Sequence, residues 1–449
     1  MPRKHTHALF NICSTIFLSL ACSFASAQTL TTVVNFHSIN GANPDSPLVQ
    51  GRNGDLYGTA EYGGPNKTGI VFKLAPSGKL STLYSFGNSA DGCLPTDNCG
   101  LASGLVLGTD GNFYGTTDSG GAYSGGSVYR LTPAGVLTTI YSFANTRGSM
   151  VPSTLIYGPN GSFYGTTRRG GFYGDGTVLS LTPSGVLTTL YSFDNGYTPE
   201  AGLVLGNDGN FYGTTVGFIF RISPAGALTG LYDLFGAVAP LVLGRDGTLY
   251  GTAEDGYGDD GSVFSITTSG SFTTLHSFDG NDGANPTAGL ALGSDGNFYG
   301  SALNGGAENC GTLFSISPAE FTLLFSLDNQ TNGCGPAAAM VMHTNGLLYG
   351  TTASGGAWGY GTVYSLNAHL TPFVGLVLGF GRHGSAAELL GQGFTGTTAV
   401  SFNGVPASSF HVASDTYMTA IVPPGATTGP VTVTTPGGSL TSKLSFIIR

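Results

Sequence analysis

Charged side chains are scarce in this chain of 449 residues. Asp, Glu, Lys and Arg together make up 9% of it, whereas about 25% is usual for a soluble domain. Positive charge is the scarcer sign, with 15 Lys and Arg against 25 Asp and Glu, and the formal net charge is −10. Proteins that bind nucleic acid by neutralising phosphates need clustered positive charge. We therefore expect no nucleic-acid partner.

Long hydrophobic runs are also few. A basic start leads into the apolar segment 8–24, and Ala25-Ser26-Ala27 has the small residues of a cleavage site. This arrangement predicts a signal peptide over residues 1–27 and a secreted or cell-surface protein. A membrane anchor and a lipoprotein modified at Cys22 are the alternatives. No later run reaches membrane-spanning length, so no membrane span is expected in the mature chain.

Glycine, in contrast, is abundant, with 74 residues or about 16% of the chain. Because glycine costs about 1 kcal/mol at an interior helical position, this composition excludes a helical bundle. The hydrophobic share of 41% excludes a disordered chain, and the absence of a strict glycine period of three excludes collagen. An all-β protein with short strands and many tight turns remains.

One segment, Asp110-Gly-Asn-Phe-Tyr-Gly-Thr-Thr117, recurs along the chain in exact or divergent copies. Its tyrosine marks seven copies, at Tyr57, Tyr114, Tyr164, Tyr212, Tyr250, Tyr299 and Tyr349. Successive tyrosines are mostly about 50 residues apart, which is the period of propeller blades. Each copy also carries four strand signals separated by turn residues, and we call these strands a, b, c and d in chain order. The repeats therefore predict four-stranded blades.

The two ends of the repeat array are complementary. The mature chain opens with Thr31–Phe36, which resembles a strand d without its a, b and c, and the seventh repeat ends at Thr362–Leu366, a strand c without its d. Unpaired strand edges are a liability, so we expect the N-terminal strand to lie beside Val363. This pairing predicts a seven-bladed β-propeller over residues 28–367, closed by the N-terminal strand. A fibre or an open β-solenoid is the alternative.

These repeats resemble a known family. The segments Leu187-Thr-Thr-Leu-Tyr-Ser-Phe193, Gly202-Leu-Val-Leu-Gly206 and Asp208-Gly-Asn-Phe-Tyr-Gly-Thr-Thr215 occur in fixed order. They are similar to the GloVer tandem repeats of exported, choice-of-anchor bacterial proteins, over roughly residues 30–367. The resemblance implies an exported or surface protein and no particular biochemical role.

A different pattern occupies residues 368–449. Segments such as Gly391-Gln-Gly-Phe394, Val400-Ser-Phe-Asn-Gly404 and Gly429-Pro-Val-Thr-Val433 resemble an IPT/TIG domain. The resemblance implies an immunoglobulin-like β-sandwich that serves as a spacer or an adhesive unit. Short alternating strands with Gly and Pro turns independently fit a sandwich.

Variable loops are the expected location of any function. In a blade of this order, the d–a and b–c loops lie at one end, and the uniform a–b and c–d turns lie at the other. All four mature cysteines occupy the variable end, and an even count in an exported chain favours disulfides over a zinc site. We predict the pairs Cys93–Cys99 and Cys310–Cys334.

Aromatic residues also gather in the b–c loops. They include Phe172, and the candidate ligand-binding residues among them are Tyr62, Tyr123, Tyr173, Tyr257, Trp358 and Tyr360. Their rings would stack on sugar rings of an extracellular glycan, or would pack each loop against the neighbouring blade. Both interpretations stay open at this point.

Catalytic and metal-binding patterns are not recognisable. The acidic groups Asp255/Asp259/Asp260 and Asp279/Asp282/Asn285 match no calcium-loop spacing, so solvated turn residues are the expectation. The few mature histidines are scattered, and no nucleophile motif or phosphate-binding loop is present. We expect no cofactor, no metal and no enzymatic activity.

The fourth repeat is shortened. Tyr212 and Tyr250 are only 38 residues apart, because both the b–c loop near Val216-Gly217 and the d–a loop before Pro240 are trimmed. Both deletions fall at the loop end, which predicts a gap in the rim where a partner or polymer enters.

The sequence thus predicts an exported binding, adhesion or structural protein without catalytic activity, with an extracellular glycan or protein as its partner. A secreted carbohydrate-binding or carbohydrate-active protein is the alternative.

Overall fold

The computed structural model describes residues 28–87, 91, 101, 103–144, 154–254 and 260–449. Every regular element in these ranges is a β-strand, and none of the described residues is helical. Accordingly, no helix that could span a membrane is found in this part of the chain. The protein is all-β, as the composition predicts, and the predicted signal peptide lies outside the described residues.

The repeats form four-stranded antiparallel sheets, one for each repeat. The first three contain β2 (Val49–Gln50), β3 (Leu56–Ala60), β4 (Ile70–Leu74) and β5 (Leu80–Ser85); β6 (Val106–Leu107), β7 (Phe113–Thr117), β8 (Ser127–Leu131) and β9 (Leu137–Ser142); and β10 (Ile156–Tyr157), β11 (Phe163–Thr167), β12 (Thr177–Leu181) and β13 (Leu187–Ser192).

The next three contain β14 (Val204–Leu205), β15 (Phe211–Thr214), β16 (Phe218–Ile222) and β17 (Leu228–Asp233); β18 (Val242–Leu243), β19 (Leu249–Ala253), β20 (Ser262–Ile266) and β21 (Phe272–Ser277); and β22 (Ala291–Leu292), β23 (Phe298–Ala302), β24 (Thr312–Ile316) and β25 (Phe321–Ser326). The last contains β26 (Val341–Met342), β27 (Leu348–Thr352), β28 (Thr362–Asn367) and, as its fourth strand, β1 (Thr29–Asn35).

The N-terminal strand completes the last sheet. β1 pairs with β28 in antiparallel register, with Val34 opposite Val363. Tyr349 of the last repeat shares a core with Leu56 of the first, and the buried His343 Nε2 donates a hydrogen bond of 2.8 Å to the Gly54 carbonyl. The predicted contact between the two ends of the array is therefore present.

The repeated Asp-Gly-Asn-Phe-Tyr segment builds the turn between strands a and b. Asp110 accepts hydrogen bonds from the backbone N–H of Asn112 and, through Oδ2, from the Tyr114 hydroxyl at 2.8 Å. Gly111 has a φ of +80°, a conformation that favours glycine. The Tyr114 ring packs on Phe163 of the next repeat, with ring centroids 4.3 Å apart. One motif thus shapes the turn and joins neighbouring sheets.

The Tyr-Gly-Thr part of the motif positions the sheet interior. Gly58 lies opposite Phe72 on the neighbouring strand, and a Cβ at Gly58 would stand 2.6 Å from that ring. The Thr59 hydroxyl donates to the Leu101 carbonyl of the next repeat at 2.9 Å. Glycine is therefore required by the ring across it, and threonine links consecutive sheets.

The C-terminal residues form a separate set of sheets. One four-stranded sheet has the order β29 (Gly375–Leu376), β31 (Ala386–Leu390), β35 (Tyr417–Ile421), β34 (Phe410–Ser414), and another has the order β33 (Val405–Pro406), β32 (Ala399–Phe402), β36 (Val431–Thr435), β37 (Gly438–Thr441). A parallel pair joins β30 (Phe380–Gly381) and β38 (Ile447–Ile448). Residues of both four-stranded sheets share one buried core. We call residues 368–449 the C-terminal module.

The module docks on the side of the repeats that carries the a–b turns. The Arg52 Nη2 lies 2.5 Å from the Glu388 carboxylate and donates to the Thr109 carbonyl at 2.6 Å. Its guanidinium carbon lies 4.7 Å from the centre of the Tyr417 ring, and the Thr416 hydroxyl donates to the Arg52 carbonyl at 2.8 Å. We call this side, formed by the a–b and c–d turns, the turn face.

Candidate functional site

The opposite end of the sheets, formed by the d–a and b–c loops, is the loop face. Most of the aromatic residues predicted to bind ligand are exposed there. The exposed fraction is 64% for Tyr123, 60% for Tyr173 and 65% for Trp358, and about 40% for Tyr62 and Tyr360. Tyr257 lies outside the described residues. Three of these rings, Tyr123, Tyr173 and Trp358, are therefore more than half accessible to solvent.

Further apolar side chains extend this surface. Phe172 is exposed and meets Tyr173 edge to face, with ring centroids 4.8 Å apart. Ile39, Tyr197 and Phe235, all in d–a loops, are exposed as well. The sequence analysis did not select these three, although their place in loops of variable length was the available signal. Neighbouring exposed apolar side chains, such as Phe172 and Tyr173, are typical of interaction sites.

Ionisable side chains lie at the inner edge of the loop face. We call them the inner cluster: Asp45, Glu61, Asp118, Arg168 and Glu200. Glu61, Asp118 and Arg168 directly follow the b strands β3, β7 and β11, and Asp45 and Glu200 lie four residues before the a strands β2 and β14. Topology therefore brings residues from four repeats to the same end of the inner strands.

Two carboxyls of the inner cluster, those of Asp45 and Asp118, resist ionisation. Burial, followed by the negative charges of Glu61 and Asp118, raises the pKa of Asp45 to about 7. Burial also raises the pKa of Asp118 to about 6, opposed by the positive charge of Arg168. Asp45 Oδ1 is buried without a hydrogen-bond partner among the described residues. Both groups are thus partly protonated near neutral pH and can donate or accept a proton there.

Arg168 and Glu200 form the charged pair of this cluster. Arg168 Nη2 lies 2.7 Å from Glu200 Oε2, and Nε donates to Oε1 at 2.9 Å. The Thr198 hydroxyl also donates to Glu200 at 3.1 Å. The bidentate geometry holds the guanidinium and the carboxylate side by side at the loop face.

The inner cluster was not predicted from the sequence. The position directly after strand b could have indicated it. This position is charged in four repeats, at Glu61, Asp118, Arg168 and Glu254, although only 9% of the chain is charged. Within the described ranges, no group of three or more His, Cys, Asp or Glu side chains is arranged to hold a metal ion.

The acidic residues that were singled out have structural roles where they are described. Asp279 Oδ1 accepts hydrogen bonds from the backbone N–H groups of Asn281 and Asp282. Asp282 lies 2.8 Å from His276 Nε2, and the Asn285 carboxamide accepts from Asn304. Asp255 and Asp259 fall outside the described residues. These groups shape loops.

The cysteines stabilise the loop face in one place. Cys310 of a b–c loop and Cys334 of the following d–a loop form a disulfide. The proposed partners Cys93 and Cys99 lie outside the described residues.

The shortened fourth repeat has short loops at the loop face. A tight turn joins β15 to β16, with the Thr215 N–H donating to the Phe218 carbonyl at 2.9 Å. The Leu234 N–H donates to the Gly217 carbonyl at 3.0 Å, so the trimmed d–a loop runs beside this turn. Exposed Tyr197 and Phe235 lie in the d–a loops on either side of this turn, and we call this shortened part of the loop face the rim gap.

Solved structures similar to the chain include extracellular β-proteins. Two are extracellular domains of putative hybrid two-component systems from B. thetaiotaomicron. One matches at 12% identity and a TM-score of 0.52, covering 91% of this chain and 46% of its own. The other matches at 11% identity and a TM-score of 0.51, covering 94% and 58%. This chain spans only about half the length of these structures, and at such identity they show the fold alone.

Lactonase structures are also among the matches. A putative 6-phosphogluconolactonase from Bacteroides uniformis matches at 17% identity and a TM-score of 0.42, covering 63% of this chain and 83% of its own, and gluconolactonases occur as well. These matches overturn the prediction that the chain is not an enzyme, because enzymes occur among its structural neighbours. They assign no reaction to this chain.

Sequence comparison identifies the repeats. No curated protein sequence matches the chain. The model of the Gloeobacter/Verrucomicrobia repeat matches residues 96–239 and 216–398, which together cover more than half of the sequence and agree with the predicted resemblance. The chain therefore belongs to the Gloeobacter/Verrucomicrobia repeat family.

Proposed function

We propose that this is an exported protein that binds carbohydrate outside the cell through its loop face. In this proposal, residues 1–27 are a signal peptide and residues 28–367 form a seven-bladed β-propeller closed by β1. Residues 368–449 form an immunoglobulin-like sandwich of the IPT/TIG type. The one-sheet-per-repeat arrangement and the pairing of β1 with β28 support the closed ring, and the two sheets around one core support the sandwich.

The observation that carries the binding role is the exposure of aromatic rings on one face. Tyr123, Phe172, Tyr173 and Trp358 remain more than half exposed, and burying such large apolar surfaces on a ligand is favourable. Flat rings stack on the apolar faces of sugars, while the inner cluster supplies carboxyls and a guanidinium for sugar hydroxyls. Tyr62 and Tyr360 belong to the same face. Tyr257 is the remaining candidate from the sequence.

A glycan array tests this function. The purified protein is expected to retain a defined class of glycans, and Trp358→Ala should weaken the binding at least ten-fold. Phe410→Ala is the matched control, because Phe410 is an exposed ring on the C-terminal module. If no glycan is retained, or if both variants bind equally, the role of the loop face in carbohydrate binding is refuted.

We further propose that an extended ligand enters at the rim gap. Tyr197 and Phe235 stand beside it, and Arg168 and Glu200 belong to the adjacent loops. Inserting a full-length Gly-rich loop between Val216 and Gly217 should weaken binding of the polymer identified on the array, while a monosaccharide still binds. Unchanged binding of the polymer would contradict entry at this point.

A further inference from the structure

A cavity lies away from the loop face, where the repeats meet the C-terminal module. The a strands line a central cavity of about 530 Å³, with Val49, Val106, Ile156, Val204 and Val242 among the lining residues. The module contributes the largely apolar segment 373–380 and Leu444 to the same cavity. The volume lies within the range of small-molecule sites, which favour domain junctions.

A polar cleft adjoins this cavity. It has a volume of about 540 Å³ and is lined by Arg245, by Ser294 and by serine and threonine residues of the module. The two spaces share four lining residues, which are Phe373, Lys443, Leu444 and Ser445. An apolar chamber therefore adjoins a polar vestibule, and Lys443 stands at their junction.

Two positive charges meet at this junction without a counter-charge. Lys443 Nζ donates to the Leu292 carbonyl at 2.9 Å and lies 4.5 Å from the centre of the Phe373 ring. Arg245 donates to the carbonyls of Lys443 and Ser294. In the described part of the chain, neither side chain forms an ion pair with a carboxylate.

The environment of Lys443 favours an incoming anion. Burial, and then the positive charge of Arg245, lower the pKa of Lys443 to about 7. Placing two like charges together in a partly desolvated site is unfavourable unless an anion is added. The rest of the protein is acidic overall, so the positive charge at this junction is a local feature.

We propose that the central cavity binds a single-chain amphiphile with an anionic head, such as a free fatty acid. The alkyl chain occupies the chamber formed by the a strands, and the carboxylate pairs with Lys443 and Arg245 in the vestibule. This site is separate from the loop face and its ligand. The site is non-covalent and uses no group other than these side chains.

Calorimetric titration tests the proposal with two probes of equal chain length. Dodecanoate, below its micelle concentration, should bind once per protein molecule, and dodecyltrimethylammonium should bind at least ten-fold more weakly. Lys443→Met should narrow the difference between the two affinities to about three-fold, because the chamber is intact and one of the two positive charges is gone while Arg245 remains. Equal binding of the two probes by the unmodified protein overturns the proposal.

Filling the chamber provides the complementary variant. Val204→Trp should abolish binding of both probes, and Val136→Trp, at an exposed position of a c–d turn, should leave both unchanged. If Val204→Trp fails to fold, the Lys443→Met comparison decides alone.

Flotation with phosphatidylglycerol vesicles distinguishes a free amphiphile from a membrane lipid as the source of the anionic head group. Binding to vesicles without binding of dodecanoate refutes a free single-chain ligand. Glycan binding by the same preparations is expected to be unaffected, so the two proposals fail independently.

Discussion

The loop face and the turn face are built from the same repeats and differ in almost every property. On the turn face, Asp110 and its equivalents fix one turn geometry by the same hydrogen bonds in most repeats, and the C-terminal module covers part of the surface. On the loop face, lengths vary and large rings remain exposed. The repeats thus have a constant turn geometry at the end on which the C-terminal module docks. At the other end, the lengths and side chains of the loops vary.

The largest expected change in the free energy of unfolding comes from removing the Asp45 carboxyl on the loop face. The pKa of Asp45 is raised to about 7 in the folded protein, so the folded state binds a proton more tightly than the unfolded state does. The free energy of unfolding therefore falls by at most about 4 kcal/mol as the pH rises from about 4 to about 7. Above about pH 7 it levels off.

Asp45→Asn should remove this loss. Urea unfolding is expected to show a gain of a few kcal/mol at pH 8 that shrinks steadily as the pH approaches 4. Asp233→Asn, at an exposed position of β17, serves as the control. A gain that is the same at all pH values would contradict the buried-carboxyl explanation.

The disulfide gives the next largest effect. Replacing both Cys310 and Cys334 by Ala opens a link across a sequence separation of 24 residues, which should cost about 3 kcal/mol in unfolding experiments. Adding a reducing agent to the unmodified protein should destabilise it at least as much, because the reagent would also open the predicted Cys93–Cys99 bond. If the double variant is as stable as the oxidised protein, the cysteines do not stabilise this part of the loop face.

A matched pair of arginine variants compares the two faces directly. Arg52→Met on the turn face removes an ion pair, a hydrogen bond and a ring contact, and should cost about 2 kcal/mol. Arg168→Met on the loop face removes a pair whose arginine side chain is 48% exposed, and should cost less than about 1 kcal/mol.

Hydrogen exchange provides the second measurement for this pair. Amides in β31 and β35 of the module should exchange faster in Arg52→Met only, because Glu388 and Tyr417 lose their partner. Equal acceleration in both variants would show that the module does not depend on the turn face.

The smallest effect is expected at the most exposed ring. Phe172→Ser, at 86% exposure, should change the free energy of unfolding by less than about 0.5 kcal/mol. Its effect on glycan retention should be large by comparison. A strong loss of stability would indicate that the ring packs its own loop.

Much of the fold could be predicted because the repeat is local. The turn at Asp110 follows from the Asp-Gly pair within the repeat, whereas the pairing of β1 with β28 follows from the incomplete repeats at the two ends of the array. The inner cluster could not be predicted in the same way, because Asp45, Asp118 and Arg168 come from three repeats and meet only through the arrangement of the sheets. The docking of the C-terminal module could not be predicted either, because no sequence pattern indicates that Arg52 and Glu388 form a pair.

The pairing of β1 with β28 also sets an order of events during biosynthesis. The earliest strand of the array has to wait, unpaired, until more than 300 later residues have emerged, and such distant pairings slow folding. A chain interrupted before β28 would leave β1 without its partner strand. The last sheet is therefore completed only in a chain that contains both β1 and β28.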